Sequence, residues 1–120
     1  MMFKPCLLAI SAVFLATAAP ALAQDAAAGG ADFNQRCRTC HTGEPKGIAP
    51  NLAGVVGRKA ASTTFNYSPA LVASGLTWNP GTLDKFLTSP AKTVPGTRML
   101  VSTPDAKQRA NLITYLATLK

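Results

Sequence analysis

The segment CRTCH, residues 37–41, constrains this chain more than any other feature, because it gathers uncommon residue types within five positions. The 120 residues contain three cysteines and one histidine, and this segment holds two of the cysteines and the histidine, as Cys37, Cys40 and His41. Three kinds of chemistry use such a cluster: a redox disulfide, a metal site and a covalently attached cofactor. Features elsewhere in the chain favour one of them.

The first two chemistries lack the partners they need. Redox-active CxxC pairs lie in a βαβ context, and no alternating strand pattern flanks residues 37–41. A structural zinc site needs four ligands, but residues 24–120 contain no other cysteine or histidine. A purely structural disulfide between Cys37 and Cys40 would close a very short loop, which gains little stability. It would also leave the neighbouring histidine without a role.

Covalent attachment of a haem uses all three residues. Each thiol can add across a haem vinyl group, and the two-residue gap matches the spacing of the vinyl groups. The histidine that follows the second thiol is then held beneath the iron as an axial ligand. CxxCH is the signature of c-type haem attachment. The sequence therefore predicts one haem c, bound through Cys37 and Cys40, with His41 as an iron ligand.

The amino-terminal residues have the pattern of an export signal. Lys4 gives the positive charge, residues 7–15 are an apolar core, and Ala21 to Ala23 form a small-residue cleavage site. We expect residues 1–23 to be cleaved; a retained anchor is the alternative, although the apolar run is shorter than the roughly 20 residues of a span. The remaining domain, residues 24–120, has 11 basic and five acidic residues, a charge of +6. We expect it to be soluble in the periplasm.

The apolar periodicity predicts an all-α fold of short helices and long loops, wrapped around the cofactor. Residues 25–30 are small and polar and predict a frayed lead-in. The first predicted helix, at residues 31–39, carries the cysteine motif. Two more run from Ser68-Pro69 to Gly75 and from Asn79-Pro80 to Pro90. Thr103-Pro104-Asp105 starts the last and longest predicted helix. Loops this long are uncommon in a small domain, and we expect them to enclose the haem.

Met99 is the candidate for the sixth ligand of the iron. It is the only methionine in residues 24–120, and it follows the turn residues Pro95 and Gly96. A lone methionine often only fills a gap in a core. Its place on a loop, and the lack of another soft neutral donor, favour coordination. A neutral thioether favours ferrous iron and raises the reduction potential.

The chain resembles class I cytochrome c over nearly all of residues 24–120. The segments that carry the resemblance are CRTCH, APNLAGVVGR (49–58), FNYSPAL (65–71), GLTW (75–78), PGTRM (95–99) and RANLITYL (109–116). The resemblance implies the small cytochrome c fold, in which the first and last helices cross near Gly29 and Phe33. It also implies that the carbonyl of Pro50 accepts a hydrogen bond from His41, which orients the ring.

The same resemblance implies further cofactor contacts. It places Tyr67 and Trp78 near a haem propionate with Arg58 close by, and it makes Thr97 part of the methionine loop. Each has a simpler interpretation, since half-buried aromatic residues find many polar partners and Arg58 could be a solvated loop charge. Two departures concern the methionine. Phe86 stands where the family often has a tyrosine that donates to the sulfur, and Val101 replaces a common aromatic residue.

The predicted function is a soluble one-electron carrier between redox complexes, without enzymatic activity. We expect a monomer that docks on acidic surfaces of an oxidase, reductase or dehydrogenase, because the charge is positive. Basic residues that could surround the haem edge are Lys46, Lys59, Lys85, Lys92, Arg98 and Lys107. Nucleic acid is disfavoured, since the basic residues are dispersed. The alternatives are a haem protein whose labile methionine admits a small ligand or peroxide, and the electron-accepting subunit of one periplasmic dehydrogenase.

Overall fold

The computed structural model describes residue 2 and residues 11–15, 24–44 and 47–120. The helices of this part of the chain are α1 (Ala26–Arg36), α2 (Pro69–Ala73), α3 (Pro80–Thr88), α4 (Pro90–Thr93) and α5 (Ala106–Leu116). The described residues contain no strand, only an isolated bridge between Lys59 and Thr77. The predicted all-α class is confirmed. Most of the predicted export signal, including Lys4 and Ala21 to Ala23, lies outside the described residues and stays a prediction.

Helix α1 begins earlier than the sequence predicts. The prediction of a frayed lead-in over residues 25–30 is wrong, because Asp25 caps the helix by accepting hydrogen bonds from the backbone of Ala27 and Ala28. Asp25 also donates its backbone hydrogen to Oδ1 of Asn111 at 2.9 Å. This second bond ties the start of α1 to α5. The helix ends at Arg36, so that Cys37 forms its C-cap rather than lying inside it.

Helices α1 and α5 cross in close contact, and the crossing depends on one glycine. A β-carbon on Gly29 would collide with the backbone carbonyl of Asn111. Beside the crossing, the rings of Phe33 and Tyr115 lie 5.2 Å apart. Leu112, which follows Asn111, is only 2% exposed. The approach of the two helices therefore brings the end of α1, and with it the CRTCH turn, to a fixed position on the core.

Helices α2, α3 and α5 begin close to the starts that the sequence predicts. Ser68 caps α2, and Asn79 forms a capping box with Thr82 at the start of α3. Asp105 caps α5 by accepting from the backbone of Gln108. Helix α5 has 11 residues, the same number as α1, so the prediction that it is the longest is wrong. The single-turn helix α4 was not predicted, because Pro90 was interpreted only as the end of α3.

The loops between α1 and α3 follow irregular paths, as predicted. Ala61 adopts a left-handed conformation, with φ of 56°. The buried hydrophobic residues are Phe33, Val55, Trp78, Leu83, Phe86, Leu87, Val94, Leu112 and Leu116. All of them except Val94 border a single large cavity. The apolar side chains therefore form the wall of an internal space instead of filling the centre of the domain.

Candidate cofactor cavity

The cavity has a volume of about 340 Å³, is partly open to the surface and is lined by both the CRTCH turn and the methionine loop. Every site residue that the sequence suggested lines it: Cys37, Cys40, His41, Pro50, Arg58, Tyr67, Trp78, Thr97 and Met99. The structure thus brings the nine residues together, although they come from segments up to 62 positions apart (37 to 99). Its remaining wall is mostly aliphatic and aromatic.

The CRTCH segment reaches the cavity as a tight turn that continues from α1. The backbone of Cys37 donates to Phe33 at 2.9 Å, and the backbone of His41 donates to Cys37 at 2.9 Å. Both thiols are free and partly buried. Burial raises the pKa of the Cys37 thiol, while the neighbouring Arg36 acts in the opposite direction. The turn therefore presents two thiols and an imidazole to one face of the cavity.

The ring of His41 is held by a hydrogen bond from Nδ1 to the carbonyl oxygen of Pro50, 2.8 Å away. Because a carbonyl only accepts, Nδ1 carries the hydrogen and Nε2 keeps a free lone pair. Burial lowers the pKa of His41, and the hydrogen bond to Pro50 opposes this shift. A neutral imidazole with an oriented ring and a free Nε2 is the form that binds a metal ion.

Met99 reaches the cavity on the loop after α4. The turn before it places Gly96 at φ of 94°, and the backbone of Met99 donates to Oγ1 of Thr97 at 3.3 Å. Arg98 donates to the carbonyl of Asn66 at 2.8 Å and so attaches this side of the loop to the segment before α2. The thioether is the softest neutral donor among the lining residues.

Sequence reasoning missed the bonds that hold the far side of the methionine loop. Arg36 donates to the carbonyl of Ser102 at 2.8 Å and to Oγ1 of Thr103 at 3.3 Å. Arg109 donates to the carbonyls of Thr103 and Pro104. Three of the four acceptors are backbone carbonyls, which every residue has, and no residue pattern marks them in advance.

Arg58 carries an unsatisfied donor at the cavity. Its terminal nitrogens donate to the carbonyls of Ala53 and Asn51, at 2.9 and 3.1 Å. Its Nε is buried and has no hydrogen-bond partner in the described residues. A buried donor without a partner is costly, and an anionic group in the cavity would satisfy it. Tyr67 points less clearly to a ligand, since its hydroxyl is paired with that of Thr63.

Phe86 occupies the wall where a tyrosine would place a hydroxyl group. It is 7% exposed and its ring lies 5.0 Å from that of Trp78. A phenyl ring cannot donate a hydrogen bond. This part of the cavity is therefore apolar, and Phe86 offers nothing to the sulfur of Met99.

The comparisons with known proteins agree with this geometry. The family model described as cytochrome c matches residues 26–120. The chain belongs to the cytochrome c family. It is 45% identical over 97 residues to cytochrome c from Tetrahymena pyriformis, covering 79% of this chain and 89% of that protein. It is 44% identical over 93 residues to cytochrome c2 from Rhodopila globiformis, covering 73% of this chain and 87% of the relative.

The structure also resembles that of cytochrome cH from Methylobacterium extorquens. The TM-score is 0.74 at 43% identity, with 78% of this chain and 98% of the other covered. Members of the family carry one covalently attached c-type haem, and this cytochrome has Cys37 and Cys40 in the CxxCH positions. The predicted cofactor and the role in electron transport are confirmed at this level. The cavity itself suits a haem, because it has an apolar wall, two free thiols, an oriented imidazole and a buried guanidinium nitrogen without a hydrogen-bond partner.

Proposed function

We propose that this cytochrome is a one-electron carrier whose haem iron is held by His41 and Met99. The observation that carries the proposal is that both residues line one cavity with Cys37 and Cys40, while the His41 ring is oriented by Pro50. A c-type haem supplies reversible one-electron exchange at its iron. Two protein ligands would leave no position for a substrate, which favours electron transfer over catalysis.

The chain's own residues hold and tune such a group. Cys37 and Cys40 supply the sulfur atoms for attachment, and Pro50 keeps the hydrogen of His41 on Nδ1. The apolar wall, including Phe33, excludes water, which lowers the local dielectric constant. Arg58 places a positive charge and a free donor at the wall. These are the usual controls that a protein has over the reduction potential.

We propose that the domain of residues 24–120 works as a monomer in the periplasm, after cleavage of residues 1–23. None of the helices in the described part of the chain could cross a membrane. Of the six residues of the suggested basic ring, Lys46 lies outside the described residues. The other five are exposed: Lys59, Lys85, Lys92, Arg98 and Lys107. Only Arg98 of these five borders the cavity. The exposed positive charge of Arg98 beside the cavity supports docking on an acidic surface of an oxidase, reductase or dehydrogenase.

A redox titration of the exported protein, followed by optical and near-infrared spectra, tests the proposal. We expect one reversible one-electron wave, and a near-infrared band from methionine to ferric iron at neutral pH. An intact mass equal to that of the polypeptide alone, from cells able to mature c-type cytochromes, would contradict the attachment. A ferric spectrum without the methionine band would contradict the ligand pair.

Phe86 favours a second candidate, a haem protein whose methionine gives way to a small ligand or peroxide. The sulfur receives no hydrogen bond from this buried phenyl ring. The two candidates differ in the ferric protein at neutral pH. A complete methionine band and weak binding of azide support the carrier, and a weak band with tight azide binding supports the open site.

A further inference from the structure

The segment after Met99 is fixed at its far end by two arginines. Arg36 of α1 binds Ser102 and the hydroxyl of Thr103, and Arg109 of α5 binds the carbonyls that follow. Arg109 donates from one terminal nitrogen to the carbonyl of Thr103 at 3.1 Å and to that of Pro104 at 2.7 Å. The backbone of Thr103 donates in turn to the carbonyl of Leu87 at 2.7 Å, and Thr103 is only 3% exposed. The loop therefore regains firm contact with the helices four residues after Met99.

The residues between these points contribute little to holding the loop. Leu100 is 76% exposed and Val101 is 47% exposed. Neither forms a hydrogen bond with the described residues. The position of Met99 consequently depends on the attachments at the two ends of the loop. Arg98 and Thr97 provide the first, and residues 102–104 provide the second.

Asp84 of α3 orients the guanidinium group of Arg109. Its Oδ1 accepts from Nε at 2.8 Å, and the Arg109 and Asp84 side chains are 12% and 48% exposed. This is the only ion pair among residues 24–44 and 47–120. Because a guanidinium is planar and rigid, fixing Nε also fixes the direction of the nitrogen that binds the loop. Asp84 thus acts on the loop without touching it.

We propose that Asp84 is a positioning residue for Met99 and acts through Arg109. The proposal rests on the proposed function, since it takes Met99 as an iron ligand. Loss of the Asp84 carboxylate would leave Nε of Arg109 without this acceptor, so that Arg109 could rotate and residues 103–104 would loosen. The methionine would then spend more time away from the iron. An external ligand binds only that open form, so its apparent affinity rises in proportion to the open fraction.

The test is a titration of the ferric holoprotein with imidazole at fixed pH, in which loss of the near-infrared methionine band reports binding. We expect Asp84→Ala, which removes the oxygen that accepts from Arg109, to tighten imidazole binding about three- to tenfold, because loss of one hydrogen bond between charged groups costs on the order of this factor. The wild-type protein must show the methionine band. A wild-type protein without the methionine band would overturn the proposed function rather than the role of Asp84.

A matched control separates positioning from general loss of stability. Asn79→Ala removes the cap of the same helix and destabilises the protein by a similar amount, but Asn79 has no bond to Arg109 or to residues 102–104. We expect its imidazole affinity to match that of the wild type. Equal tightening in both variants would overturn the proposal, and so would unchanged affinity in Asp84→Ala.

A double-mutant cycle tests whether the effect passes through Arg109. In an Arg109→Gln background, Asp84→Ala should change imidazole affinity less than twofold, since contacting residues that act as a unit are not additive. A full three- to tenfold change in that background would show that Asp84 acts by another route. The single variant Asp84→Ala decides the main point even if Arg109→Gln does not fold.

Discussion

Gly29 lies directly against the backbone carbonyl of Asn111, and this contact sets the distance at which α1 and α5 cross. A methyl group at this position would force the helices apart. Gly29→Ala should therefore lower the free energy of unfolding by about 2–3 kcal/mol, despite the better helix propensity of alanine. Denaturant unfolding of the holoprotein measures the change.

The neighbouring glycine gives the matched control for this prediction. A β-carbon on Gly30 would lie 3.1 Å from the ring of Tyr115, a side chain that can move. Gly30→Ala should change the stability by less than about 1 kcal/mol, since helix propensity offsets the crowding. Equal losses in the two variants would show that the crossing does not depend on the carbonyl contact.

Ala61 is the one described residue other than glycine with a positive φ, at 56°. The left-handed conformation costs an alanine roughly 1–2 kcal/mol, and glycine removes this cost while losing some entropy. Ala61→Gly should raise the free energy of unfolding by about 0.5–1 kcal/mol. Ala60→Gly, at a negative φ, should lower it instead. A loss of stability in both variants would contradict the account of strain at Ala61.

Much of the fold could be predicted because its signals are local. The capping residues Ser68, Asn79 and Asp105 start helices where the sequence places them. The beginning of α1 could not be predicted, since Asp25 followed by alanines and glycines is a weak helix signal. The helix forms there because Asn111, 86 positions away, binds the backbone of Asp25. Such a contact exists only once α5 has packed against α1.

In the candidate site, too, local sequence signals could be interpreted in advance, and contacts between distant segments could not. The spacing of Cys37, Cys40 and His41 predicts their role, and Met99 follows as the only methionine of residues 24–120. The family resemblance adds residues such as Pro50 and Arg58. The support of the methionine loop by Arg109 stayed hidden, because a charged residue on a helix usually indicates a solvated face. Only the structure shows that this arginine is mostly buried and bonded to carbonyls of the loop.

Arg58 should raise the reduction potential, because a positive charge at the cavity wall favours the iron state of lower charge. Its buried Nε has no protein partner, so the charge is poorly screened. Arg58→Gln should lower the potential by roughly tens of millivolts, as measured by redox titration. Lys107→Gln makes the same change of charge at an exposed residue that does not border the cavity. It should leave the potential nearly unchanged, and equal shifts would contradict a local effect.

Stability should fall as the pH falls below 6.5, because of His41. Burial holds its folded-state pKa below the usual 6.5. The unfolded chain therefore binds a proton first, and the folded state loses up to about 1.4 kcal/mol per pH unit until its own pKa is reached. His41 is the only histidine, and carboxylates titrate mainly below about pH 5. Denaturant unfolding at pH 7.5, 6.5, 5.8 and 5.2 measures the slope, and a flat profile would contradict a neutral, buried His41.

Met99→Ala should remove the thioether without disturbing the attachment turn, since Met99 and Cys37 lie on separate loops. The near-infrared band of the ferric protein should disappear, and the potential should fall because ferrous iron loses its preferred neutral ligand. The intact mass should still include the haem. Ser102→Ala, on the same loop at an exposed residue that does not border the cavity, is the control and should keep both the band and the potential. An unchanged spectrum in Met99→Ala would show that a group other than Met99 is the sixth ligand of the iron.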